Sequence, residues 1–150
     1  AEKCAFTKAN GFDQVIDYNS TDFEAEVMRL TNGEGVNVAY DSVGNDTMGR
    51  TITSTKRRGT IIAFGQSSGP YTDFKITDLS KGSYYLSRPT LFHFVGDRSW
   101  LDTASAKLFK AVTDGTINVS INQRFALEDV AKAHEALTGR ATTGCTILNV

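Results

Sequence analysis

Cysteine is scarce in this sequence. The two present, Cys4 and Cys145, are far apart and have no Cys or His at metal-ligand spacing. A disulfide framework and a cysteine-based zinc site are therefore not expected, and both residues read as reduced thiols in a cytoplasmic protein. No apolar run approaches the roughly 20 residues that span a membrane. Ala1-Glu2-Lys3-Cys4 lacks the apolar core of a signal peptide. Neither sign of charge is in excess: 16 Lys and Arg stand against 17 Asp and Glu. That balance leaves no basic footprint for nucleic acid. The one short basic cluster, Lys56-Arg57-Arg58, reads as a solvated helix C-terminus, where cations complement the helix dipole. There is no G-x-G-x-x-G, no evident Ser-His-Asp arrangement and no paired carboxylates, so no residue is assigned a catalytic role and none a metal-binding one. Repeats and low-complexity segments are absent too.

What the sequence does contain is ordinary for a soluble domain with a core: 150 residues, 40% apolar and 22% charged. Glu2 to Asn10 reads as a helix ended by Gly11, with no cap before it, as if the chain began in mid-fold. Gln14 to Tyr18 reads as a short strand. Ser20 or Thr21 is placed to cap a helix whose face is Phe23, Val27 and Leu30. Asn32 to Gly35 is a turn. Val36 to Val43 is a strand apolar on both faces, as in a sheet covered on two sides. A polar helix over Asp46 to Lys56 and a buried strand over Gly59 to Gly65 follow. Ser83 to Arg88 is a further strand closed by Pro89. Trp100 to Asp114 is a helix, Asn118 to Ile121 a strand, Leu127 to Leu137 a helix capped by Gly139, and Thr146 to Val150 a last strand. This alternation predicts an α/β fold with a parallel sheet.

Several stretches, in order and in register, resemble the quinone oxidoreductase branch of the medium-chain dehydrogenase/reductase superfamily, the group that includes zeta-crystallin. They are Val15-Ile16-Asp17-Tyr18, Tyr40-Asp41-Ser42-Val43-Gly44, Phe64-Gly65 with Ser67-Ser68-Gly69, Ser87-Arg88-Pro89-Thr90-Leu91, Ala131 to His134, and Gly139 to Gly144. The resemblance implies a partial Rossmann fold, a doubly wound parallel sheet lacking strands 1 and 2 and the glycine-rich loop. Residues 1–117 would be the incomplete cofactor-binding domain, and 118–150 a segment returning to a GroES-like catalytic domain otherwise absent. Val15–Tyr18 would be strand 3, separated from strand 4 by strands 2 and 1 in the order 3-2-1-4-5-6. With strands 1 and 2 missing its backbone would be unpaired. The expectation is that it is displaced, paired with another chain, or flanked by further polypeptide.

The same resemblance implies which residues face the cofactor. Lys3 and Tyr18 match a lysine and a tyrosine on the adenosine 2′-phosphate, which implies NADPH rather than NADH. Ser42, Phe64 and Gly65 match strand ends beside the cofactor. Arg88, Pro89 and Thr90 border the nicotinamide, and Arg140 matches an arginine on the cofactor phosphate. Plainer alternatives stand beside each: a surface lysine with a half-buried tyrosine, a strand-ending turn at Ser42, a core Phe64, a solvated Arg140. His93 and His134 are read as structural. The implied reaction is hydride transfer from NADPH to a quinone or related conjugated carbonyl, with no measurable activity expected of these 150 residues alone. A homodimer through the edge strand at 83–88 is also implied. The competing reading is a non-catalytic module that self-associates through that edge.

Overall fold

The computed structural model describes residues 2–150 and divides them into two compact units, one ending at Leu91 and one beginning at Phe92. In the first, α1 (Glu2–Ala9) and α2 (Phe23–Leu30) precede β1 (Val36–Asp41), α3 (Met48–Thr53), β2 (Thr55–Ala63) and β3 (Tyr85–Ser87). The strands form one sheet in the order β1-β2-β3, with both pairings parallel. Parallel strands need crossover connections, and α3 and the Gln66–Ser83 stretch supply them. The middle strand carries the core. Its residues Thr55, Gly59, Ile61 and Ala63 are buried, and Ile61 is wholly enclosed against Met48 and Ile52 of α3. Tyr71, Phe74, Tyr84 and Leu86 close the margin of this cluster. Only one face is covered: Val38 and Tyr40 on β1 are 48% and 73% exposed, which corrects the expectation of a sheet buried on both sides.

Three further expectations are corrected. Residues 14–17 form no strand, as follows from the lack of a neighbour to complete a ladder. Helix α2 is capped not by Ser20 or Thr21 but by Asp22, whose carboxylate accepts from the N–H groups of Glu24 and Ala25. The helix expected over 46–56 ends at Thr53, because Thr55 already pairs with Val36. The register then slips until Val38 meets Thr60. Lys56, Arg57 and Arg58 therefore lie on a bulged strand rather than at a helix end. Arg58 takes the left-handed region (φ 60°) and donates its N–H to the Gly82 carbonyl at 2.7 Å.

The second unit holds α4 (Phe92–Val95), α5 (Arg98–Thr113), β4 (Ile121–Ala126), α6 (Val130–Thr138) and β5 (Cys145–Asn149). β4 and β5 pair in parallel around α6. The strand expected at 118–121 is instead β4, because pairing starts where the Cys145 N–H reaches the Ser120 carbonyl at 2.7 Å. Asp97 caps α5 by accepting from the N–H groups of Ser99 and Trp100. At the end of α6 the left-handed residue is Arg140 (φ 56°), one place after Gly139, which stays in the right-handed region.

Candidate functional site

Because β1, β2 and β3 are parallel, their C-terminal ends share one edge, the place where open α/β sheets collect ligands. There Ser42-Val43-Gly44 leaves β1, Phe64-Gly65-Gln66 leaves β2 and Arg88-Pro89-Thr90 leaves β3. The first two exits are fixed by Asp41, a carboxylate only 4% exposed. Its Oδ1 accepts from the N–H groups of Val43 (2.8 Å) and Gly44 (2.9 Å). Its Oδ2 accepts from the hydroxyls of Thr47 (2.8 Å) and Thr51 (2.7 Å), both on or next to α3. Its backbone carbonyl accepts from the N–H groups of Phe64 (2.9 Å) and Gly65 (3.3 Å). Burial alone would raise this carboxyl's pKa. The N–H of Gly44, the hydroxyls of Thr51 and Thr47 and the N–H of Val43 outweigh it and hold the pKa below the ordinary aspartate value.

The turn after β1 is also laced to the loop after β2. The Ser67 N–H donates to the Ser42 carbonyl at 3.2 Å, and the Ser68 N–H and hydroxyl both donate to the Val43 carbonyl at 2.8 Å. The Asn45 N–H reaches the Gly69 carbonyl at 3.0 Å. Two glycines make the approach possible. A Cβ on Gly65 would stand 2.5 Å from the Ser42 carbonyl oxygen, and one on Gly44 (φ 88°) 2.5 Å from that of Gly69. Gly65 is thus needed for one strand exit to pack on the other.

Two clefts open along this edge. One, of about 190 Å³, is lined by Tyr18, Phe23, Tyr40, Ser42 and Thr47 among others, and so unites Tyr18 with Ser42. The second, of about 270 Å³, is mainly apolar and unites Gly65 with Arg88, between Met48, Tyr71, Phe74 and Leu86. Phe64 is no core residue: it is 52% exposed and its ring meets Tyr40 edge-on at 6.4 Å. The Arg88 guanidinium donates to the Pro89 carbonyl at 3.3 Å, and Pro89 and Thr90 are half-buried beyond it. Lys3 is exposed on α1 and lines neither cleft. Arg140, His93 and His134 lie in the second unit, all three exposed. Sequence reasoning missed Asp41, Thr47, Thr51 and Ser68. Asp41 sits on the alternate face from Tyr40, and an acid at a strand end with threonines six and ten places on was the available signal. Among the described residues no three His, Cys, Asp or Glu side chains cluster as a metal site would require.

The family model described as zinc-binding dehydrogenase matches residues 10–148. The quinone oxidoreductase of Pseudomonas aeruginosa is 39% identical over 98% of this chain and 46% of its own length. Quinone oxidoreductase 1 of Escherichia coli K12 is 38% identical over 99% of this chain and 46% of its own length. A 2-haloacrylate reductase from Burkholderia sp is 36% identical, over 98% of this chain and 45% of its own. The crystal structure of Escherichia coli quinone oxidoreductase complexed with NADPH superposes with a TM-score of 0.94 at 37% identity, over 100% of this chain and 47% of that one. The chain spans about half the length of the curated relatives it matches. The donor set among the described residues does not suit zinc, whatever the family's description. With three parallel strand exits built on the motifs of that branch, and a match over nearly all its residues, this chain belongs to the zinc-binding dehydrogenase family, within its quinone oxidoreductase branch.

Proposed function

We propose that this chain is the cofactor-facing part of an NADPH-dependent oxidoreductase that reduces quinones or related conjugated carbonyls. The observation that carries the reading is the locked set of strand exits, with Tyr18 and Ser42 in one cleft and Gly65 and Arg88 in the next. The backbone donors of Phe64 and Gly65 are already used by Asp41. Recognition therefore falls to side chains: the Arg88 guanidinium, the Ser42 hydroxyl, the Tyr18 phenol and the Phe64 ring. The apolar cleft beside Gly65 and Arg88 suits a flat ring with a ribose, while a diphosphate would need the glycine-rich loop that these 150 residues do not contain. When bound, NADPH supplies the hydride, and the protein binds, orients and shields the reacting partners. Lys3 and Tyr18 hold the 2′-phosphate, and Pro89 and Thr90 border the nicotinamide. In this reading residues 1–117 form the Rossmann part and 118–150 the returning segment. The site of action is cytoplasmic.

The test is a binding titration of NADPH and NADH, followed by nicotinamide fluorescence, on the protein at its native length. Arg88→Ala should weaken both cofactors, and Lys3→Ala with Tyr18→Phe should abolish the preference for NADPH. Equal affinity for the two cofactors in the parent protein would remove the 2′-phosphate assignment. The 150 residues alone should reduce no quinone above a heat-denatured control. A second reading rests on β3, which pairs with β2 alone among the described residues. That free edge suits pairing with a second copy into a homodimer. Self-association without any cofactor affinity would favour a non-catalytic module.

A further inference from the structure

At the opposite end of the sheet, where β2 and β3 begin, a concavity of about 340 Å³ is lined by Arg57, Arg58, Ser80, Lys81, Gly82 and Ser83. Its composition is unlike the rest of a chain whose net charge is −1. Three cations and two hydroxyl side chains line it, and no carboxylate does. Lys81 is neutralised by Asp78 at 2.9 Å, a bond that uses one of its three ammonium donors. Arg57 and Arg58 have no such partner: neither side chain makes an ion pair or hydrogen bond with any described residue. The local excess is therefore two positive charges.

The backbone here is held in an unfavourable state on both sides of the concavity. Arg58 (φ 60°) and Ser83 (φ 54°) are both left-handed residues other than glycine, which costs each of them conformational free energy. The two sides are tied by the Arg58 N–H to the Gly82 carbonyl at 2.7 Å. Gly82 is in turn walled in by the Tyr84 ring, which a Cβ at that position would meet. The outcome is a bulge in β2 that sets two adjacent guanidiniums beside the hydroxyl of Ser83, while the Ser80 hydroxyl is already donated to the Thr77 carbonyl at 2.7 Å. Guanidinium forks with hydroxyl donors are the groups that recognise a phosphate oxyanion.

We propose that this concavity is a binding site for a dianionic phosphate group, separate from the strand exits that face the cofactor. Two unpaired guanidiniums match the two charges, and the spare ammonium donors of Lys81 complete the set. The test is an NMR titration of the protein with inorganic phosphate, with sodium chloride at matched ionic strength as the control. Saturable shifts are expected at the amides of 57–59 and 80–84, and in the Arg57→Ala, Arg58→Asn double variant the affinity should fall at least about 10-fold. Asn is chosen at 58 because it tolerates the left-handed region, so an unchanged or higher melting temperature will show that the variant is folded. Shifts that fail to saturate, that chloride reproduces, or that persist unweakened in the folded variant would each overturn the proposal.

Discussion

Removing the Asp41 carboxylate should unfold the first unit far more readily than its small size suggests. Asp41→Ala strands two N–H groups, those of Val43 and Gly44, which cannot turn to find new partners. It also releases the hydroxyls of Thr47 and Thr51, which can rotate. A buried donor left unsatisfied costs about 1–3 kcal/mol, so the two amides alone imply about 2–6 kcal/mol, a large share of the 5–15 kcal/mol that holds a typical domain together. Asp41→Asn should be milder, about 1–2 kcal/mol, since its carbonyl oxygen can still serve both amides. The sign with pH follows from the lowered pKa. A carboxyl whose folded pKa lies below its unfolded one contributes its full stability above the unfolded value, near pH 4, and loses it as pH falls through the folded one. Urea melts of the parent, Asp41→Asn and Asp41→Ala at pH 7, repeated at falling pH, measure both. An Asp41→Ala protein within about 1 kcal/mol of the parent, or an Asp41→Asn protein with the parent's full acid sensitivity, would refute the reasoning.

Other substitutions report on the same unit. Gly65→Ala drives a Cβ to 2.5 Å from the Ser42 carbonyl oxygen, and should cost about 1–3 kcal/mol by overpacking while weakening NADPH binding in a fluorescence titration. Ile61→Ala, at the wholly enclosed centre of β2, should cost about 2–5 kcal/mol in a thermal or urea melt. Ser68→Ala breaks the hydroxyl bridge between the Val43 carbonyl and the Asp46 N–H, and should speed amide hydrogen exchange at 43–46 while leaving β2 protected.

Much of the fold could be read from local pattern. Gly11, Gly33, Gly35 and Gly115 sit at left-handed turns where the sequence punctuates its elements, and the apolar run through Ile61 to Ala63 is the buried central strand. The errors share a cause. Val15–Tyr18 has the residues of a strand, yet a strand needs a neighbour, and pairing is not a local property. Lys56 to Arg58 look like a helix end until Thr55 is seen to pair with Val36, a contact nineteen places back. At the strand exits the motifs located Ser42, Gly65 and Arg88, because backbone turns leave glycine and proline as marks. Asp41 went unnoticed because its role depends on threonines that α3 brings back over it.

The lacing of the two strand exits bears on any attempt to replace one of them. Swapping the Ser42–Gly44 turn for one from another dehydrogenase would leave Asp41, itself held by Thr47 and Thr51, gripping a foreign backbone, and Gly65 and Ser68 facing an altered one. The transferable unit is the whole span from Asp41 to Gly69. A graft that respects those borders carries its own scaffolding, and drift within them should proceed by concerted replacements rather than one residue at a time.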